Sequence, residues 1–179
     1  MPARARWLAP IGLFLVSVAV TGCGHEYATA GEGVCAVAFP APYGLVNACS
    51  APAVMAAATG AVFSYKPREQ ASPRAAFEAA EVLMDTDFAT RAAPAAAVLA
   101  PITSATWQQW AVRDVTVTAE VQATRDDHPA DTALTAARVL AVTQHPSDTS
   151  APIAFTVYAR AGRPNPLAAW RITGLEVMT

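Results

Sequence analysis

Val115, Val117, Ala119, Val121 and Ala123 alternate with Thr116, Thr118, Glu120, Gln122 and Thr124. A period of two suits a strand with one buried and one wet face. The alternation returns at Ile153, Phe155, Val157 and Ala159, set against Ala154, Thr156, Tyr158 and Arg160. Between these runs, Thr132 to Gln144 contains Val139, Leu140, Ala141 and Val142, which predicts a strand buried on both faces. Leu167 to Met178, with Trp170, Ile172, Leu175 and Val177 as its apolar members, supplies a fourth strand. The links at 125–131, 145–150 and 162–166 are short and rich in turn residues. Parallel neighbours need long crossovers, so the pattern predicts an antiparallel meander.

The chain ahead of these strands is helix-permissive. Ala51 to Ser64 is apolar and uncharged, which argues for burial, with Pro52 suited to a first helical turn and Gly60 weakening the run. A second helix is better marked. Ser72 is a good N-cap and Pro73 sits at the first helical position, while Phe77, Ala80, Met84 and Phe88 recur on one face. Pro94 and Pro101 bound a stretch that breaks this helix or restarts it briefly. Helices followed by four strands predict an α+β fold, with N-terminal helices packed in a curved, cone-like four-stranded antiparallel sheet.

Arg4 and Arg6 precede an apolar stretch from Trp7 to Val20, the pattern of a secretory signal. The stretch falls short of the about 20 apolar residues that a membrane span needs. It ends in Val20-Thr21-Gly22-Cys23, which resembles the lipobox of bacterial lipoproteins. That resemblance implies a signal peptide over 1–22 and lipid attachment at Cys23, with two or three acyl chains needed for durable anchoring. Residues 24–33 are small and polar and read as a tether. Cys35 and Cys49 remain as an even pair, expected to form a disulfide in an oxidising compartment. The expected organisation is 1–22 signal, 23–50 tether and stapled segment, and 51–179 folded domain.

Loss of Arg4 and Arg6 leaves ten basic against fourteen acidic residues, a formal charge of −4, which is not a nucleic-acid binder's balance. Lys66, Arg68 and Arg74 form a basic cluster with Glu69 inside it, read as a solvated connector. Asp126, Asp127, His128 and Asp131 are the densest set of metal-ligand types, yet they fit no calcium-loop pattern and read as turn residues. His145 has no evident carboxylate partner and Glu120 falls on a polar strand face, so no buried base is marked. No catalytic residue, cofactor or metal site is assigned. Trp107 and Trp110 are the candidate partner-binding rings, since tryptophan is frequent in interface hot spots, with core filling as the alternative.

From about Ala51 onward the order of elements resembles the nuclear transport factor 2-like superfamily. More narrowly, Ala61-Val62-Phe63-Ser64-Tyr65-Lys66-Pro67, Trp107-Gln108-Gln109-Trp110 and Arg138-Val139-Leu140-Ala141-Val142-Thr143 are similar to envelope proteins of Gram-positive conjugation clusters. This resemblance implies a non-enzymatic cell-envelope lipoprotein, extracytoplasmic and lipid-anchored to the membrane. Its domain would dock onto an envelope protein partner as an accessory of a conjugation or secretion apparatus. The same fold admits a small-ligand carrier or sensor using the cone cavity, or an isomerase-like enzyme with an acid or base at the cavity floor. A cavity filled by Phe77, Met84, Phe155 and Trp170 would remove the carrier reading.

Overall fold

The computed structural model describes residues 35–126 and 128–178. The signal, Cys23 and the tether over 24–33 expected from the sequence lie outside the described residues. Helix α1 runs Ala51–Phe63, with the Ser50 side chain accepting from the Ala53 N–H and a proline in the first turn. It packs across all four strands of the sheet. Val54, Met55, Ala58, Thr59, Val62 and Phe63 are buried along its length. Tyr65 then pairs with Val117 as an isolated bridge, tying the end of α1 to the start of the first strand.

Helix α2, Pro73–Ala80, begins at Ser72, although the Ser72 side chain makes no capping hydrogen bond. The single amphipathic helix expected to reach Phe88 is interrupted. A 3₁₀ turn at Glu81–Leu83 leads into an extended Met84, and α3, Thr86–Ala92, starts afresh. The cause is tertiary: Met84 bridges Ile172, and the Asp85 N–H donates to the Ile172 carbonyl at 2.8 Å. A backbone so engaged cannot continue the i→i−4 ladder. Asp85 turns the break into a new start by accepting from the Asp87 and Phe88 N–H groups. Phe77, Ala80, Met84 and Phe88 nonetheless all reach the core.

A 3₁₀ turn at Ala93–Ala95 and a short helix α4, Ala96–Leu99, fill the proline-bounded stretch. Helix α5, Ser104–Val112, has no counterpart in the sequence reading. Its signals are local: Thr103 accepts from the Thr106 N–H, and Trp107 and Trp110 are three apart on one face. It ends with Asp114 at φ 56°, where Val115 N–H donates to Trp110 and Asp114 N–H to Ala111. This double bond is the Schellman arrangement, with aspartate in the position glycine usually takes.

The strands are β1 Val117–Ala123, β2 Thr135–Pro146, β3 Ile153–Gly162 and β4 Arg171–Met178. They form one antiparallel sheet in the order β1-β2-β3-β4. The fold is therefore α+β, with the helices packed against a four-stranded antiparallel meander. In β2 the core-facing residues are Ala136, Leu140, Val142 and Gln144. Burial on both faces holds only in part, because Ala137 and Val139 are also buried whereas Ala141 is exposed. In β4, Ile172 and Leu175 have opposite parity yet both are buried. The β3–β4 register shifts between Arg160 and Ala161, leaving Thr173 as the extra residue that turns both side chains inward.

Candidate functional site

Trp107 and Trp110 are core residues, 5% and 2% exposed. This corrects their candidacy as partner-binding rings. The Trp107 ring meets Tyr65 edge-on at 5.3 Å between centroids, and α5 turns both indoles inward. Trp107 contributes one wall of a groove of about 420 Å³ lined also by Pro73, Ala97, Val98, Ile102 and Thr103.

Cys35 and Cys49 are joined with an S–S distance of 2.10 Å and a Cα–Cα distance of 5.7 Å. The loop between them contains turns and no helix or strand. It is tied into the domain by the Trp170 N–H donating to the Ala48 carbonyl at 2.8 Å and by the Tyr43 hydroxyl donating to Ala79. Arg171 lies over the Phe39 ring at 5.6 Å. The stapled segment is thus part of the folded domain rather than an element apart from it, which moves the domain boundary from residue 51 back to at least 35.

The described residues of the acidic turn do not gather their ligand types around a point. Asp131 is held by the Arg138 guanidinium, at 2.6 Å for Oδ1, and this pairing holds its carboxyl below the usual range. His128 Nδ1 lies against the Pro129 carbonyl and Arg138, while Asp127 lies outside the described residues. Among the described residues no group of three or more His, Cys, Asp or Glu is arranged to hold a metal ion.

Two polar arrangements escaped the sequence reading. His145 does have a carboxylate partner: its Nε2 is 3.4 Å from Glu120 Oε2 across β1 and β2. The register pairs Thr118 with His145 and Glu120 with Thr143, so the two side chains are diagonal neighbours on the outer face. Both are about half exposed, and a small concavity of about 170 Å³ lies between them and Gln122.

The second arrangement is inside. Gln144, fully buried, donates from Nε2 to the Phe63 carbonyl at 2.8 Å, satisfying the end of α1. Thr59 Oγ1 is buried without a hydrogen-bond partner, and the buried Tyr65 hydroxyl lies within reach of the Gln144 side chain but outside good hydrogen-bond geometry. Burial pushes the Tyr65 phenol far above its ordinary value. These groups are neutral, so the chemistry they offer is hydrogen bonding rather than proton transfer near neutral pH.

Phe77, Met84 and Trp170 are buried in the core, and Phe155 packs on Phe63 at 4.9 Å between centroids. The basic cluster is exposed and paired, Lys66 with Glu69, Arg68 with Asp114 and Arg74 with Glu78. No helix among the described residues is long and apolar enough to cross a membrane. Comparisons with protein-family models, characterised proteins and solved structures give no match to this chain.

Proposed function

We propose that this chain is a non-enzymatic cell-envelope lipoprotein, held at the membrane by lipid on Cys23, whose α+β domain docks onto an envelope protein of a conjugation or secretion apparatus. The observation that carries the reading is Val20-Thr21-Gly22-Cys23 at the end of a short apolar stretch. An aliphatic residue, two small residues and a cysteine meet the steric demands of lipoprotein processing. The Cys35–Cys49 bond supports an oxidising compartment. The order of helices and strands supports the resemblance to the nuclear transport factor 2-like fold. Packing of Phe77, Met84 and Trp170 into the core favours docking over the carrier reading, which needs that volume open.

Intact mass and membrane fractionation test it, comparing the wild type with Cys23→Ala. The expected wild-type product begins at a diacylated or triacylated Cys23 and pellets with membranes, and the variant leaves them. A mature chain beginning downstream of Cys23, or a variant that still pellets, sinks the anchor. Crosslinking in native membranes tests the docking half. A stoichiometric adduct with a component of the transfer or secretion channel is expected, and its absence counts against an accessory role.

A further inference from the structure

Glu120 and His145 are brought together by the β1–β2 register, and a third residue fixes the carboxylate. The Gln122 side-chain amide donates to Glu120 Oε1 at 2.7 Å. That leaves Oε2 as the oxygen turned to His145 Nε2, 3.4 Å away. As diagonal neighbours on adjacent strands, the two side chains are long enough to meet. The residues directly opposite them, Thr143 and Thr118, are small, and so is Ala141 opposite Gln122. The concavity of about 170 Å³ over the pair is lined by both side chains together with Gln122, Ala141 and Thr143. Neither Glu120 nor His145 forms another ion pair among the described residues.

An imidazole nitrogen and a carboxylate oxygen are ligands that suit zinc, at about 2.0–2.1 Å and about 2.0–2.2 Å from the metal. Two such ligands at a tetrahedral angle lie about 3.4 Å apart, which is the separation between Glu120 Oε2 and His145 Nε2. A charge-assisted hydrogen bond between the same two atoms would close to about 2.7–2.9 Å. The pair therefore stands at the spacing of two metal ligands and beyond that of a hydrogen bond. Gln122 supplies the outer hydrogen bond that orients a ligating carboxylate.

The geometry points to a zinc site on the outer face of the sheet, with Glu120 Oε2 and His145 Nε2 as its protein ligands and Gln122 as a positioning residue. The neutral imidazole binds through Nε2 and keeps its proton on Nδ1. Structural zinc sites have four protein ligands and catalytic ones three, so a site with two holds its metal weakly and leaves the other positions to water. Bound zinc joins β1 to β2 and stabilises the folded chain in proportion to its concentration over its Kd. Magnesium, which prefers oxygen ligands alone, is disfavoured by the imidazole.

The test uses the full chain with its disulfide intact and zinc chloride as the probe. His25 and His128 are the other two histidines and serve as internal references. Histidine ring resonances are followed by NMR at mildly alkaline pH, where free imidazole is neutral. Zinc is expected to shift the His145 ring and the Glu120 and Thr143 amides saturably, and equal magnesium to leave them in place. The apparent affinity read at the His145 ring should fall about tenfold or more in Glu120→Gln and about tenfold in Gln122→Ala. Both side chains are exposed, and the wild-type titration stands without either variant. A His145 ring that moves no more than that of His128 overturns the site. An unchanged affinity in Glu120→Gln overturns it as well, since it marks zinc on a lone imidazole. An unchanged affinity in Gln122→Ala overturns the positioning role.

Discussion

Gly60→Ala is expected to stabilise the domain by about 1 kcal/mol, because glycine inside a helix is about 0.8–1.0 kcal/mol less favourable than alanine. The structure decides whether that gain is available. Gly60 lies inside α1, and a Cβ placed on it meets Val121 Cγ2 at 3.8 Å as its nearest neighbour. That is ordinary van der Waals contact, so the methyl fits against β1 without moving it. A domain of this size should gain about 2–4 °C in Tm from such a change. In urea the midpoint should rise by about 0.3–1 M with the slope unchanged. Gly174→Ala is the contrast: there a Cβ falls 2.7 Å from Arg160 Nε. Arg160 must swing away and release Glu176, for a loss of at most about 1 kcal/mol from that exposed pair. A lower midpoint for Gly60→Ala would refute the spacing between α1 and β1 on which the argument depends.

The Cys35–Cys49 bond closes a separation of 14 residues, for which the chain-entropy model gives about 3 kcal/mol. Urea melts with and without reductant should differ by about that much, and coincident melts would mean the staple does not constrain the unfolded chain. Thr59→Val keeps the branched shape and removes the unpartnered Oγ1, so it should stabilise by about 1 kcal/mol. A loss of that size would reveal a partner for the hydroxyl. The Asp131 carboxyl, depressed by Arg138, contributes stability that is present above its unfolded pKa and is lost as pH falls through the lower folded one. A carboxyl NMR titration should place its midpoint below the ordinary value of about 3.9. Asp131→Asn should remove that acid-dependent component, which partial exposure keeps under about 1 kcal/mol; a midpoint at or above the ordinary value would refute the pairing.

The strands and α1 were legible because each is specified within a short window. Alternation at Val115 to Ala123 and at Ile153 to Ala159 requires only that one face be buried, and the turn residues between runs limit the connection to hairpins. What escaped depends on residues far apart in the chain. Nothing near Met84 announces that its backbone bridges Ile172, yet that bridge divides one predicted helix into two. Gln144 reads as the polar end of a strand until α1 places the Phe63 carbonyl above it. The Glu120–His145 pair needs the β1–β2 register, which alternation alone leaves open by steps of two residues. Helix α5 was a failure of another kind, since Thr103 and the Trp107–Trp110 spacing were visible as a cap and a face.

The fate of the tryptophans follows from what surrounds them. Ala51, Ala58, Ala76, Ala80, Ala136, Ala159 and Ala161 belong to the buried core, where α1 packs on the sheet and α2 packs on α1. Small residues let the two layers approach, and they contribute little apolar area each. The area that holds such a core must come from a few large side chains, and an indole buries about 150–250 Å². Trp107, Trp110 and Trp170 stand with Phe63, Phe77 and Tyr65 in that role. An alanine-rich domain therefore commits its aromatic rings to its own interior.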